Sequence, residues 1–175
     1  MHDTPDTAPT APEEPLATSE RAAIDDLLRK QLGRRMTVCL LALADTHADD
    51  IAALAGRLAS IEEIAILPAA SVEAGLAQAA QRDAEIVLIW LAADDARELA
   101  AASALLERTE TMGLSDRSFV ALIGSAVTRD QAHQLRFEEG YPAATPSAQL
   151  LRSLAREAIG RDELRRRGSS PPCYL

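Results

Sequence analysis

Aromatic side chains are almost missing from this sequence: one Trp, two Tyr and two Phe make up 3% of 175 residues. So few rings cannot build an aromatic ligand cage, and the interior must be filled by Leu, Ile, Val and Ala in thin, closely packed layers. Lysine is scarcer still, since Lys30 stands alone. Basic charge as a whole is short, with 18 Arg and Lys against 27 Asp and Glu, and a net charge of -9 repels a phosphate backbone. Nucleic acid is therefore a poor candidate partner. Cysteine is limited to Cys39, inside a hydrophobic run, and Cys173, in the tail. That pair offers neither metal-ligand spacing nor a disulfide framework, and a reducing, cytoplasmic setting is expected. No apolar run approaches the ~20 residues that span a bilayer, and the first residues lack the apolar centre of a secretory signal. A soluble protein without a membrane span is expected.

What is present is a composition 47% hydrophobic, enough for one domain with a proper core plus tails, since single domains most often span about 100–150 residues. Residues 1–18 mix Asp, Glu, Thr and Ala with Pro5, Pro9, Pro12 and Pro15, and without apolar periodicity they are expected to form a disordered tail. Ile24, Leu27, Leu28 and Leu32 then recur at helical spacing until Gly33, which predicts a leading helix over 19–33.

From there one pattern repeats five times. Short apolar runs at 37–43, 63–67, 85–91 and 118–123 read as buried strands, each followed by a capping residue and an amphipathic stretch. Thr46, Ser71, Asp94 or Asp95, and Thr128 are the capping candidates. The helix after Thr128 is expected to run through Leu135 and stop at Gly140. A fifth strand over 141–144 contains Pro142, which places it at a sheet edge, and Thr145-Pro146 reads as a cap with proline at the first helical position. Alternating strands and helices imply a parallel sheet covered on both faces, with functional groups gathered at the carboxyl ends of the strands. Those ends carry Asp45, Trp90, Ser125 and Thr145.

Over residues 36–160 these loops resemble the receiver domain of two-component response regulators, which implies an α/β, flavodoxin-like (CheY-like) five-stranded parallel sheet. In that family an acidic pair after the first strand binds Mg²⁺, an Asp ending the third strand accepts phosphate, a Thr or Ser ends the fourth, and a Lys-Pro follows the fifth. By resemblance Asp45 matches one member of the acidic pair and Ser125 the Thr or Ser position. Trp90 stands where the acceptor belongs, and Thr145-Pro146 keeps the proline without the lysine. An indole has no carboxylate with which to form an acyl phosphate, so these four mark a degenerate phosphorylation site. Asp94 and Asp95, just beyond, are weighed as a displaced acceptor but favoured as helix caps.

A second resemblance is to cobalamin-binding domains. Asp45-Thr46-His47 looks like the start of their Asp-x-His-x-x-Gly motif, in which the histidine ligates cobalt, so His47 is the candidate ligand of a corrinoid or other small-ligand sensor. Asp50 replaces the glycine, and Ile89-Trp90-Leu91 and Gly124-Ser125 depart from that family's Ser-x-Leu and Gly-Gly. A Ser-His-Asp triad of Ser125, His47 and Asp45 is disfavoured because Ser125 lacks a Gly-x-Ser-x-Gly elbow.

The reading is thus of a non-catalytic, stand-alone pseudo-receiver acting as a protein–protein interaction module in signalling or transcriptional control. It needs no cofactor or metal and binds other proteins or a second copy of itself. By resemblance the expected contact surface includes Leu135, Phe137 and Tyr141. Residues 161–175 are expected to be an Arg-rich helix end and a flexible tail, with Tyr174 and Leu175 as a short docking element.

Overall fold

The computed structural model describes residues 15–168, so the expectations for residues 1–14 of the first tail, and for Cys173, Tyr174 and Leu175, lie outside the described residues, while Thr18 of that expected tail already begins a helix and Leu16 packs against the core. Five strands, β1 (Met36–Ala42), β2 (Ile64–Leu67), β3 (Ile86–Trp90), β4 (Phe119–Gly124) and β5 (Glu139–Pro142), form an all-parallel sheet in the order β2-β1-β3-β4-β5. Six helices accompany them: α1 (Thr18–Gln31), α2 (Ala48–Ala59), α3 (Val72–Gln81), α4 (Ala96–Thr111), α5 (Arg129–Gln134) and α6 (Ser147–Gly168). This is the flavodoxin-like α/β fold that the strand and helix alternation implies.

β3 and β4 are buried along their whole length, which is why each reads as an unbroken apolar run rather than an alternating one. Successive residues still point to opposite faces. Leu40, Leu88, Trp90 and Ile123 join one core layer with α1, α2 and α6, whereas Cys39, Leu41, Ile89 and Leu122 join the other with α3, α4 and α5. The leading helix α1 is therefore part of the domain, contributing Ile24, Leu28 and Leu32 to the first layer. It stops where expected, with Gly33 at a φ of +68°.

Around α5 and β5 the boundaries differ from the sequence-based expectations. α5 ends at Gln134, because Phe137 N–H returns to the Ala132 carbonyl at 2.9 Å and Arg136 turns left-handed at φ +68°. Gly140 is consequently not a helix stop. It lies within β5 beneath α5, where a Cβ would come within 2.7 Å of Ala132 Cβ. β5 thus starts at Glu139 rather than Tyr141, although it occupies the expected edge and ends at Pro142. α6 passes through Gly160 without a break and carries the arginine cluster as its last turns. Those arginines are not merely solvated: Arg161 lies over the Phe119 ring at 5.7 Å, and Arg166 pairs with the buried Asp162 at 2.7 Å.

Candidate functional site

The carboxyl ends of β1, β3 and β4 lie side by side, with Ala42 in register with Trp90 and Trp90 with Ile123. Just beyond β1 the chain enters a one-turn 3-10 helix over Asp45–His47, which leads directly into α2. Asp45 is exposed there, as is Ser125 beyond β4. Trp90 is not. Its side chain is 7% exposed and belongs to the α1, α2 and α6 layer, so the indole is part of the core. An interface anchor has to reach its partner, and an indole this deeply buried fills the core instead.

Thr145 is also buried, at 8% exposure. Its hydroxyl donates to the Pro142 carbonyl at 2.7 Å, as does its backbone N–H at 2.9 Å, folding the chain back after β5. The Thr145 carbonyl in turn accepts from Arg57 of α2. Pro146 supplies the first helical acceptor, bonded by Leu150 N–H at 3.0 Å. Lys30 pairs with Asp26 of α1 at 2.6 Å and lies away from the site, since α1 ends near the amino ends of the strands, where Arg166 reaches the Leu32 carbonyl. Of the two weighed aspartates, Asp95 is the cap of α4, its carboxylate accepting from Arg97 N–H at 2.8 Å.

The surface expected from Leu135, Phe137 and Tyr141 is not a surface. Phe137 is 3% exposed in the α3, α4 and α5 layer, and Tyr141 is 7% exposed in the other layer with its hydroxyl 2.7 Å from Ser153. Because β5 starts two residues early and α5 is short, both rings turn inward; only Leu135 keeps part of its surface.

Sequence reasoning missed Glu98. His47 is held rather than free: its Nε2 lies 2.9 Å from both oxygens of Glu98, and its Nδ1 lies 3.4 Å from Asp50. Glu98 also accepts the Ala92 N–H at 2.6 Å. One carboxylate therefore ties the β1–α2 turn, the β3 exit and the first turn of α4 together. The signal was available, since Asp95 and Glu98 have the spacing of a capping box, in which the acid three residues after the cap reaches back to a free N–H.

The exits of β3 and β4 are closed against each other. Leu91 N–H bonds Ile123 O at 3.1 Å and Ala93 N–H bonds Ser125 O at 2.9 Å. Gly124, at φ +151°, is packed so that a Cβ would lie 1.9 Å from the Leu91 carbonyl. A corrinoid nucleotide tail needs an opening between these strand ends, and a lower cobalt ligand needs a free histidine nitrogen. Neither is offered, so the residues do not fit that cofactor in this arrangement. Among the described residues there is no group of three or more His, Cys, Asp and Glu able to hold a metal ion.

A cavity of about 560 Å³ lies at the carboxyl ends of β1 and β2, with Asp45 on its wall. Its walls are residues 40–44 at and just beyond the end of β1, Asp45, Ala48 and Ile51 of the next turn and helix, and the 69–72 segment leading into α3.

No family model and no curated relative matches the chain. Solved structures do. A cobalamin-binding protein from Desulfitobacterium hafniense superposes with a TM-score of 0.59 at 15% identity, over 79% of this chain and 66% of that one. A Burkholderia pseudomallei protein described as pilus assembly-related gives a TM-score of 0.50 at 23% identity, over 72% of this chain and 91% of its own. At such identities the likeness is one of fold. The class defined is a flavodoxin-like parallel α/β module. No helix among the described residues is long and apolar enough to cross a membrane.

Proposed function

We propose that the chain is a non-catalytic pseudo-receiver, a regulatory module that works by binding another protein. The observation that carries this reading is the buried indole of Trp90 at the strand end where a receiver-like site requires a carboxylate. The fixed bridge from His47 through Glu98 to Ala92 N–H supports it, because it immobilises the loops that a phosphorylation switch has to move. A fold neighbour described as pilus assembly-related agrees with a role inside a larger assembly.

The test is incubation of the purified chain with acetyl phosphate and Mg²⁺, followed by intact-mass measurement. No phosphoryl mass is expected. A gain abolished by Asp45→Asn, Asp94→Asn or Asp95→Asn overturns the proposal.

The corrinoid-sensor alternative draws on Asp45-x-His47 and on the cobalamin-binding neighbour, but it has to break the bond from His47 to Glu98 and part the β3 and β4 exits. Incubation with hydroxocobalamin and gel filtration is expected to leave the protein colourless. A retained visible band lost in His47→Ala would establish the sensor instead.

A further inference from the structure

β1 outruns β2, and the difference leaves an open edge. The two strands pair from Met36 with Ile64 to Cys39 with Leu67, after which Pro68 turns the chain away. Odd-numbered residues of β1 bond towards β3, as Thr37 O does with Glu85 N–H and Leu43 N–H with Trp90 O. Even-numbered ones bond towards β2, as Met36 N–H does with Glu63 O. The Leu40 carbonyl and both backbone groups of Ala42 therefore point to the side that β2 has left, and no partner for them exists among the described residues. They face the 560 Å³ cavity, within the ~300–1,000 Å³ range of ligand pockets. Backbone groups in so sheltered a position are normally bonded, and an added strand is the partner that supplies a donor and an acceptor at this spacing.

The walls and rim narrow the choice. Ala48, Ala69 and Ala70 make a shallow lining that suits small apolar side chains. No Arg or Lys lines the cavity, while Asp45 does, and Asp49 is exposed nearby; neither acid has an ion-pair partner among the described residues.

We propose that this cavity is a docking site for an extended peptide of a partner protein, added as a sixth strand to the free edge of β1. The peptide carries small apolar side chains towards the alanines and a Lys or Arg opposite Asp45. This deepens the interaction reading above and rests on it. Its failure is separable, because phosphate uptake is read as added mass, whereas peptide docking is read as binding to the Ala70→Phe variant and as exchange of the Ala42 amide.

The probe is a set of peptides selected from a random heptapeptide display library against the full chain. Selected sequences should combine small apolar residues with one basic residue. N-methylation of the amides on one alternating set should weaken binding at least about tenfold, and the other set should be neutral, because only alternate backbone groups of a strand face its neighbour. Ala70→Phe, at an exposed position on the cavity wall, should abolish binding without altering the fold, and Asp45→Asn should reduce its salt dependence. In hydrogen exchange the Ala42 amide should exchange fast in the free chain, unlike that of Leu43, and slow when peptide is added. Peptides whose binding ignores Ala70→Phe, a selection that yields none, or an Ala42 amide already protected in the free chain would each overturn the proposal.

Discussion

At the scale of the residue, Trp90 is first of all a packing element. Trp90 belongs to the α1, α2 and α6 layer together with Leu40 and Ile123, so the large-to-small change Trp90→Ala should lower stability by about 3–5 kcal/mol in urea titration. Trp90→Asp adds an unpaired buried carboxylate to the same cavity and should be worse still, with no phosphate uptake in return. Two other buried groups make stability depend on alkaline pH. Burial pushes the Cys39 thiol up to about 12, and burial likewise raises the Tyr141 phenol to about 12 despite its bond to Ser153. Both are neutral when protonated and both have folded values above their ordinary ones. Their contribution is complete below pH 9.0, where the unfolded thiol still keeps its proton, and is lost as pH rises towards about 12. Circular dichroism should show alkaline unfolding across that window, shifted to higher pH in the double variant Cys39→Ala and Tyr141→Phe.

At the scale of the element, legibility in the sequence followed the strength of local signals. Strands β1 to β4 were plain because buried parallel strands are continuous apolar runs, and Gly33 ended α1 as a left-handed glycine should. The α5–β5 region was not, because its outcome depends on tertiary contact. Gly140 signals a helix stop locally, yet what it provides is room for Ala132 against the sheet. Gly160 shows the converse. Nothing lies within 4 Å of the place a Cβ would occupy, and α6 runs straight through it. Gly160→Ala should therefore raise stability by roughly 0.5–1 kcal/mol, measurable as a higher melting temperature. Gly124→Ala should do the opposite and severely, since its Cβ would collide with the Leu91 carbonyl and its φ of +151° suits only glycine. The bridge from His47 to Glu98 was legible only as half of a capping box, because the histidine that completes it arrives from 51 positions away. Glu98→Gln should cost about 1–3 kcal/mol, and a double-mutant cycle with His47→Ala should show coupling of at least ~0.5 kcal/mol.

At the scale of the molecule, the amino ends of the strands are held by a buried acid that composition and periodicity did not disclose. Glu85 precedes β3 in an apolar run and is fully buried; one of its oxygens accepts the Thr37 N–H at 2.7 Å and the other pairs with Arg34. Arg34 also reaches Asp162 of α6 at 3.3 Å, so the turn after α1, the starts of β1 and β3 and the end of α6 share one network. Arg34 is about half exposed, which screens its side of the pair, so Glu85→Ala should cost about 2–4 kcal/mol, below the ~3–5 of a fully buried pair. The location of the loss tests whether α1 is an integral layer or an appendage. Ile24, Leu28 and Leu32 are almost wholly buried against the same core as α6, so α1 has no folded state of its own to fall back on. In native-state hydrogen exchange the Leu28 amide should open with the free energy of global unfolding, and Glu85→Ala should lower it by the same amount as the sheet amides. Selective opening of α1 in that variant, with β3 unchanged, would make the leading helix a detachable arm and leave the parallel sheet as a separate cooperative unit.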